Sequence, residues 1–109
     1  ESRDVLAVVE GNFGEKQYAF YKLRTVDGVA VEVYEKTEKS PVMKQRLELK
    51  EVKDGVLDVQ KSPTRLVLTD FDGDGDTELL VPVFDMQLKP LLYIFKYNGS
   101  SESFDQVSP

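Results

Sequence analysis

Five carboxylates fall within nine residues in the segment Asp70-Phe71-Asp72-Gly73-Asp74-Gly75-Asp76-Thr77-Glu78. Like charges this close repel one another unless something screens them. The net charge of the chain is −6, and removing these five charges would leave −1, so nearly all of the acidic excess sits in one loop. A hard divalent cation is the partner such a loop fits. Asp70, Asp72 and Asp74 stand at loop positions 1, 3 and 5, and Gly75 at position 6 allows the tight reversal that turns them onto one ion. All-oxygen ligation is the preference of Ca2+, whereas Mg2+ demands near-octahedral geometry and keeps several of its waters. Asp76 at position 7 would offer its backbone carbonyl, and Glu78 closes the set directly before the apolar run Leu79-Leu80-Val81. A solvated turn without metal is the alternative. An EF-hand does not fit, because position 12 from Asp70 is Val81, where a bidentate Glu is required, and the flanks read as strands.

Other site chemistry is restricted by what the chain lacks. It has no cysteine and no histidine. Thiolate metal sites, disulfides, cysteine nucleophiles, Ser–His pairs and imidazole bases are therefore excluded. Paired acids outside the loop, such as Glu48 with Glu51 and Asp54 with Asp58, read as solvated surface, so no catalytic residue is expected. The 20 acidic residues outnumber the 14 basic ones. That balance argues against a nucleic-acid partner, which needs clustered Lys and Arg. No apolar run approaches the roughly 18–20 residues of a membrane span. The first residue is Glu1 and not Met, which leans towards a processed, exported chain.

The elements that must hold this loop read as strands throughout. At 109 residues, with 40% hydrophobic residues and eleven Phe and Tyr together, the chain has the material for one all-β domain over residues 1–109. Residues 5–9 form an apolar run into a turn at Gly11-Asn12-Phe13-Gly14. Residues 17–24 and 29–34 flank Asp27-Gly28, a two-residue hairpin signal that asks for positive φ. Residues 40–52 are ambiguous. Met43, Leu47 and Val52 fall on one helical face, but Leu47 and Leu49 alternate with charged neighbours, which favours a strand. Asp54-Gly55 predicts a second hairpin into residues 56–59. Residues 65–68, 79–84, 90–97 and 103–107 complete the strands, with a turn at Asn98-Gly99 and a frayed Ser108-Pro109. Pro82 implies a bulge or an edge, because proline cannot donate to a ladder. Tyr18, Phe20, Tyr21, Tyr34, Phe84, Tyr93, Phe95 and Tyr97 read as core, with a protein- or carbohydrate-binding face as the alternative. The two halves resemble each other, giving a degenerate repeat over 4–60 and a loop-bearing repeat over 61–108, with chance likeness of two β-rich halves as the alternative.

The string from Leu68 to Val81 resembles the calcium loop of FG-GAP or VCBS-type repeats, which form the blades of integrin-α-like β-propellers and occur in many bacterial secreted proteins. By position, the resemblance implies that Asp70, Asp72, Asp74 and Glu78 bind Ca2+ through their side chains and Asp76 through its carbonyl. It makes Phe71 a core plug for the loop. Glu78 departs from the usual Asp, and the Gly-Ala-Pro part of the family name has no counterpart. The first half offers only Glu10, Asn12 and Glu15, at the wrong spacing for a metal. Two blades cannot close a propeller. The expectation is therefore blade-like antiparallel sheets, either a fragment of a larger propeller or a compact β domain. The implied role is non-catalytic: a calcium-stabilised binding, adhesion or scaffold module of an extracellular, cell-surface or periplasmic protein. An accessory segment of a secreted polysaccharide-processing enzyme and a structural spacer are the alternatives. The partner would be a protein or a carbohydrate, and exposed strand edges would permit self-association.

Overall fold

Alternating apolar residues in a chain without long helical periodicity produce sheets that bury one face each. The computed structural model describes residues 4–59 and 62–108, and these form antiparallel strands with no helix among the described residues. The strands are β1 (Val5–Phe13), β2 (Lys16–Thr25), β3 (Gly28–Glu35), β4 (Val42–Lys50), β5 (Val52–Asp54), β6 (Leu57–Val59), β7 (Ser62–Thr64), β8 (Val67–Thr69), β9 (Glu78–Asp85), β10 (Pro90–Asn98) and β11 (Ser103–Ser108). The first sheet has the order β1-β2-β3-β4. The second has the order β11-β10-β9-β5, with β8 also on β9, and β6 and β7 form a separate hairpin. Residues 40–52 thus contribute a strand, β4, as their alternation favoured.

The sheets face each other across one core. Tyr18 and Phe20 of β2, Val29, Val31 and Val33 of β3 and Leu47 and Leu49 of β4 meet Leu79, Val81 and Val83 of β9, Phe95 of β10 and Phe104 of β11. The spacing of two within each strand is the pleat at work, since successive side chains point to opposite faces. Phe104 lies edge-on to Phe13, Tyr18 and Phe20 at centroid distances of 5.1, 5.6 and 5.1 Å. Tyr18 and Phe20 are fully buried, so the core reading holds for them, whereas Tyr21 and Tyr34 pair at 5.4 Å and are only partly buried.

Several local expectations shift. β1 continues through Gly11, Asn12 and Phe13, and the turn lies at Gly14 and Glu15. The β2–β3 hairpin exists, but Thr25 pairs with Gly28, so Val26 and Asp27 form its tip. Gly28 lies inside the strand, where a side chain would meet the Leu49 carbonyl oxygen at 2.1 Å. No hairpin forms at Asp54-Gly55: β5 pairs with β9, while β6 pairs with β7. Gly55 is required for close approach, since a Cβ would lie 2.9 Å from the Val83 backbone.

Pro82 is neither at a sheet edge nor in a bulge. It sits mid-strand in β9, opposite Leu92 of β10. On the other side of β9, β8 covers residues 78–80 and β5 covers residues 83–85, which leaves a gap at Pro82. The buried Lys22 ammonium enters that gap and donates to the Pro82 carbonyl at 2.6 Å. Backbone N and O of one strand residue face the same side. The missing N–H of the proline therefore faces an ammonium, where a donor would have had no acceptor.

Each half of the chain supplies a four-stranded antiparallel meander, β1 to β4 and β8 to β11. The described strands close into neither a barrel nor a ring. The expected repeat boundary at residues 60 and 61, and the terminal Pro109, lie outside the described residues.

Candidate metal centre

The acidic loop joins β8 to β9, so both of its ends are fixed by sheet hydrogen bonding. Thr69 pairs with Glu78 across the β8–β9 ladder, and Lys96 of β10 pairs with Glu78 on its other side. Between these ends the loop winds around its own first carboxylate. Asp70 Oδ1 accepts the backbone N–H groups of Gly73 at 2.9 Å and Asp74 at 3.1 Å, and Oδ2 accepts that of Gly75 at 2.8 Å. Asp72 Oδ1 accepts from Asp74 N at 3.3 Å, and Asp74 Oδ1 accepts from Asp76 N at 2.9 Å. Gly73 and Gly75 take φ of +74° and +92°, a region in which a side chain is strained. This is the physical reason for glycines at both positions.

The winding turns four carboxylates towards one point. Asp70, Asp72, Asp74 and Glu78 each offer an oxygen, and these atoms all lie within 4.8 Å of one another. Oxygens bound to Ca2+ at about 2.3–2.6 Å span at most about 5 Å across the ion, so the cluster has the dimension of one coordination sphere. Asp70, Asp72 and Asp74 are exposed, but Glu78 is 1% exposed. Its Oε1 accepts the Phe71 N–H at 2.7 Å, while its Oε2 is buried and has no hydrogen bond. A buried carboxylate oxygen without a hydrogen bond is costly, and a bound cation removes that cost. The donor set therefore fits a hard divalent ion.

Asp76 lies outside this side-chain cluster, and its backbone N–H is used in holding Asp74. Phe71 is not a core plug. The residue is 55% exposed, and its backbone N–H is held by Glu78. Glu10, in the first half, forms an ion pair with Lys36 at 3.2 Å.

Among the described residues, Lys96 is the one that joins the cluster from outside the loop. Its Nζ hydrogen-bonds Asp74 Oδ2, lies 3.2 Å from Asp72 Oδ2 and stands 4.0 Å from Glu78 Oε2. This ammonium, followed by the Asp76 N–H, holds the Asp74 carboxyl down at about 2. In return Asp74, and after it Asp72, push the ammonium of Lys96 well above the usual lysine range. The only sequence signal for Lys96 is a lone charge in the apolar run of residues 91–97.

At the opposite end of the sandwich, an open groove of about 650 Å³ runs between the β2–β3 turn and β5. Arg24, Asp27, Lys53 and Met86 are among its lining residues, a mixture of both charges. Among the described residues no helix is long and apolar enough to cross a membrane. In comparison with known proteins, no family model, no curated protein and no solved structure matches the chain.

Proposed function

We propose that the chain is a non-catalytic β module stabilised by one Ca2+, with Asp70, Asp72, Asp74 and Glu78 as side-chain ligands and Asp76 contributing its carbonyl. The observation that carries this reading is the convergence of four carboxylates, one of them the buried Glu78 whose Oε2 has no hydrogen bond. The ion joins β8 to β9 and neutralises the charge concentrated between them. Its role is structural, since the cluster is part of a strand connection. On this reading the meander β8 to β11 corresponds to an FG-GAP or VCBS-type blade, with the calcium loop between its first two strands. The meander β1 to β4 is then a degenerate neighbour without metal, and the pair is either a compact unit or part of a larger propeller. The likeness rests on residues 68–81.

A site of about 10⁻⁴–10⁻³ M affinity is filled at the millimolar calcium outside cells and empty in cytosol. This favours an extracellular, cell-surface or periplasmic location and a binding, adhesion or scaffold role towards a protein or carbohydrate. The test is thermal unfolding of chelator-treated protein titrated with CaCl2 or MgCl2. The expected outcome is a calcium-selective rise in Tm that Asp72→Ala abolishes. A melt that ignores calcium overturns the reading.

A further inference from the structure

The carboxylate oxygens of the loop are divided between two tasks. Asp72 Oδ1 and Asp74 Oδ1 are committed to backbone N–H groups, at 3.3 and 2.9 Å. Their Oδ2 atoms are the ones turned towards a cation, and both face Lys96 Nζ. The same ammonium stands 4.0 Å from the buried Glu78 Oε2. Three of the four clustered carboxylates thus converge on one lysine.

We propose that Lys96 is a tethered competitor for the metal ion, which must swing out of the carboxylate cluster before the ion can enter. The proposal rests on the metal-centre reading above and adds what regulates its affinity. Two positive charges cannot share the same few oxygens, because a divalent ion within contact distance of Asp72 and Asp74 would repel an ammonium bonded to them. Nor can an ammonium do the work of the ion: its three donors satisfy at most three acceptors, whereas Ca2+ takes six to eight oxygens. Departure of the lysine is mechanically easy. Its Cα is fixed opposite Glu78 by the β9–β10 ladder, but its flexible side chain is 32% exposed, so the head can move into solvent while the strand stays in place.

Two consequences follow from an exchange of cations. Without the ion, Lys96 holds the loop in its wound form by neutralising part of its charge, so the site is preorganised. With the ion, the cost of displacing Lys96 is subtracted from the binding energy, which weakens the site. Lys96 therefore sets the calcium concentration at which the loop switches from the internal to the external cation.

The experiment is isothermal titration of metal-free protein with CaCl2, comparing the natural chain with Lys96→Met and Lys96→Arg. Lys96→Met keeps the stem and removes the charge, and should tighten calcium binding by about 5- to 150-fold, the usual size of a coupling between two bound groups. Lys96→Arg retains a competing cation and should stay close to the natural chain. Calcium binding that is unchanged or weaker in Lys96→Met overturns the competitor role and leaves the metal centre standing. Absence of calcium binding in the natural chain and both variants overturns the metal centre itself. Should Lys96→Met fail to fold, acetylation of the natural chain followed by peptide mass spectrometry decides the matter. The rate at Lys96 should rise on calcium addition, relative to the exposed Lys39, and an unchanged or slower rate overturns the proposal.

Discussion

Lys22 lies wholly inside the sandwich, with its ammonium 2.8 Å from Asp54 Oδ1, 3.1 Å from the Gly55 carbonyl and 2.6 Å from the Pro82 carbonyl. Two carbonyls accept hydrogen bonds from the ammonium and the Asp54 carboxylate pairs with its charge, so the lysine is compensated where water cannot reach it. Burial lowers the pKa of Lys22, while Asp54 acts in the opposite direction. The second oxygen of Asp54 is held by Arg65 Nε at 2.7 Å. Lys22 therefore ties β2 of one sheet to β5 and β9 of the other. Removing the lysine leaves the Gly55 and Pro82 carbonyls unpaired while Arg65 still holds Asp54, which costs about 1–3 kcal/mol. Lys22→Met is expected to lose stability of that size in urea unfolding, with an unchanged m-value. A variant as stable as the natural chain would show that Asp54 and the two carbonyls regain partners without the lysine.

The second tie between the sheets lies at the seam of β4 and β11. Gln45 Nε2 donates to the Phe104 carbonyl at 2.9 Å, and the Phe104 N–H donates to Gln45 Oε1 at 2.9 Å. The side-chain amide takes the place of a neighbouring strand on an edge that would otherwise be open. Gln45→Leu leaves both backbone groups unpaired at a partly buried position, a loss of about 1–3 kcal/mol. Hydrogen exchange should report it locally, as faster exchange at the Phe104 amide with little change in the centre of β3. At this scale the sequence shows what is local and hides what is not. Alternation over residues 42–50 and the apolar runs mark the strands because each strand carries its own pattern. Gly28 and Gly55 look like turn residues, yet both are there for close backbone approach to strands far away in sequence. Pro82 reads as an edge residue because the gap between β5 and β8 exists only after three segments assemble. The acidic loop is legible for the opposite reason, since its clustered carboxylates lie within nine consecutive residues. Lys96 and Lys22 escape sequence reasoning because their partners are set by register and by sheet packing.

Whether the two meanders unfold together depends on how the core is shared. Phe13, Tyr18 and Phe20 from the first sheet interlock with Tyr97 and Phe104 from the second, and Lys22 and Gln45 bridge the same interface. Neither sheet retains a covered face if the other leaves, so separate unfolding would expose both inner faces at once. On the proposed reading, an ion at the β8–β9 junction would act on β9, a strand that pairs with β5, β8 and β10. Its stabilisation should therefore spread to the whole molecule. With a Kd of about 10⁻⁴ M and about 2 mM calcium, mass action gives about 1.8 kcal/mol. For a domain of this size that corresponds to a rise in Tm of roughly 5–10 °C. Calorimetry should show one transition, displaced upward as a unit by calcium, with the calorimetric and van't Hoff enthalpies equal. Two transitions, of which calcium moves only one, would mean that the meanders are independent units and that Lys22 and Gln45 join them without making them cooperative.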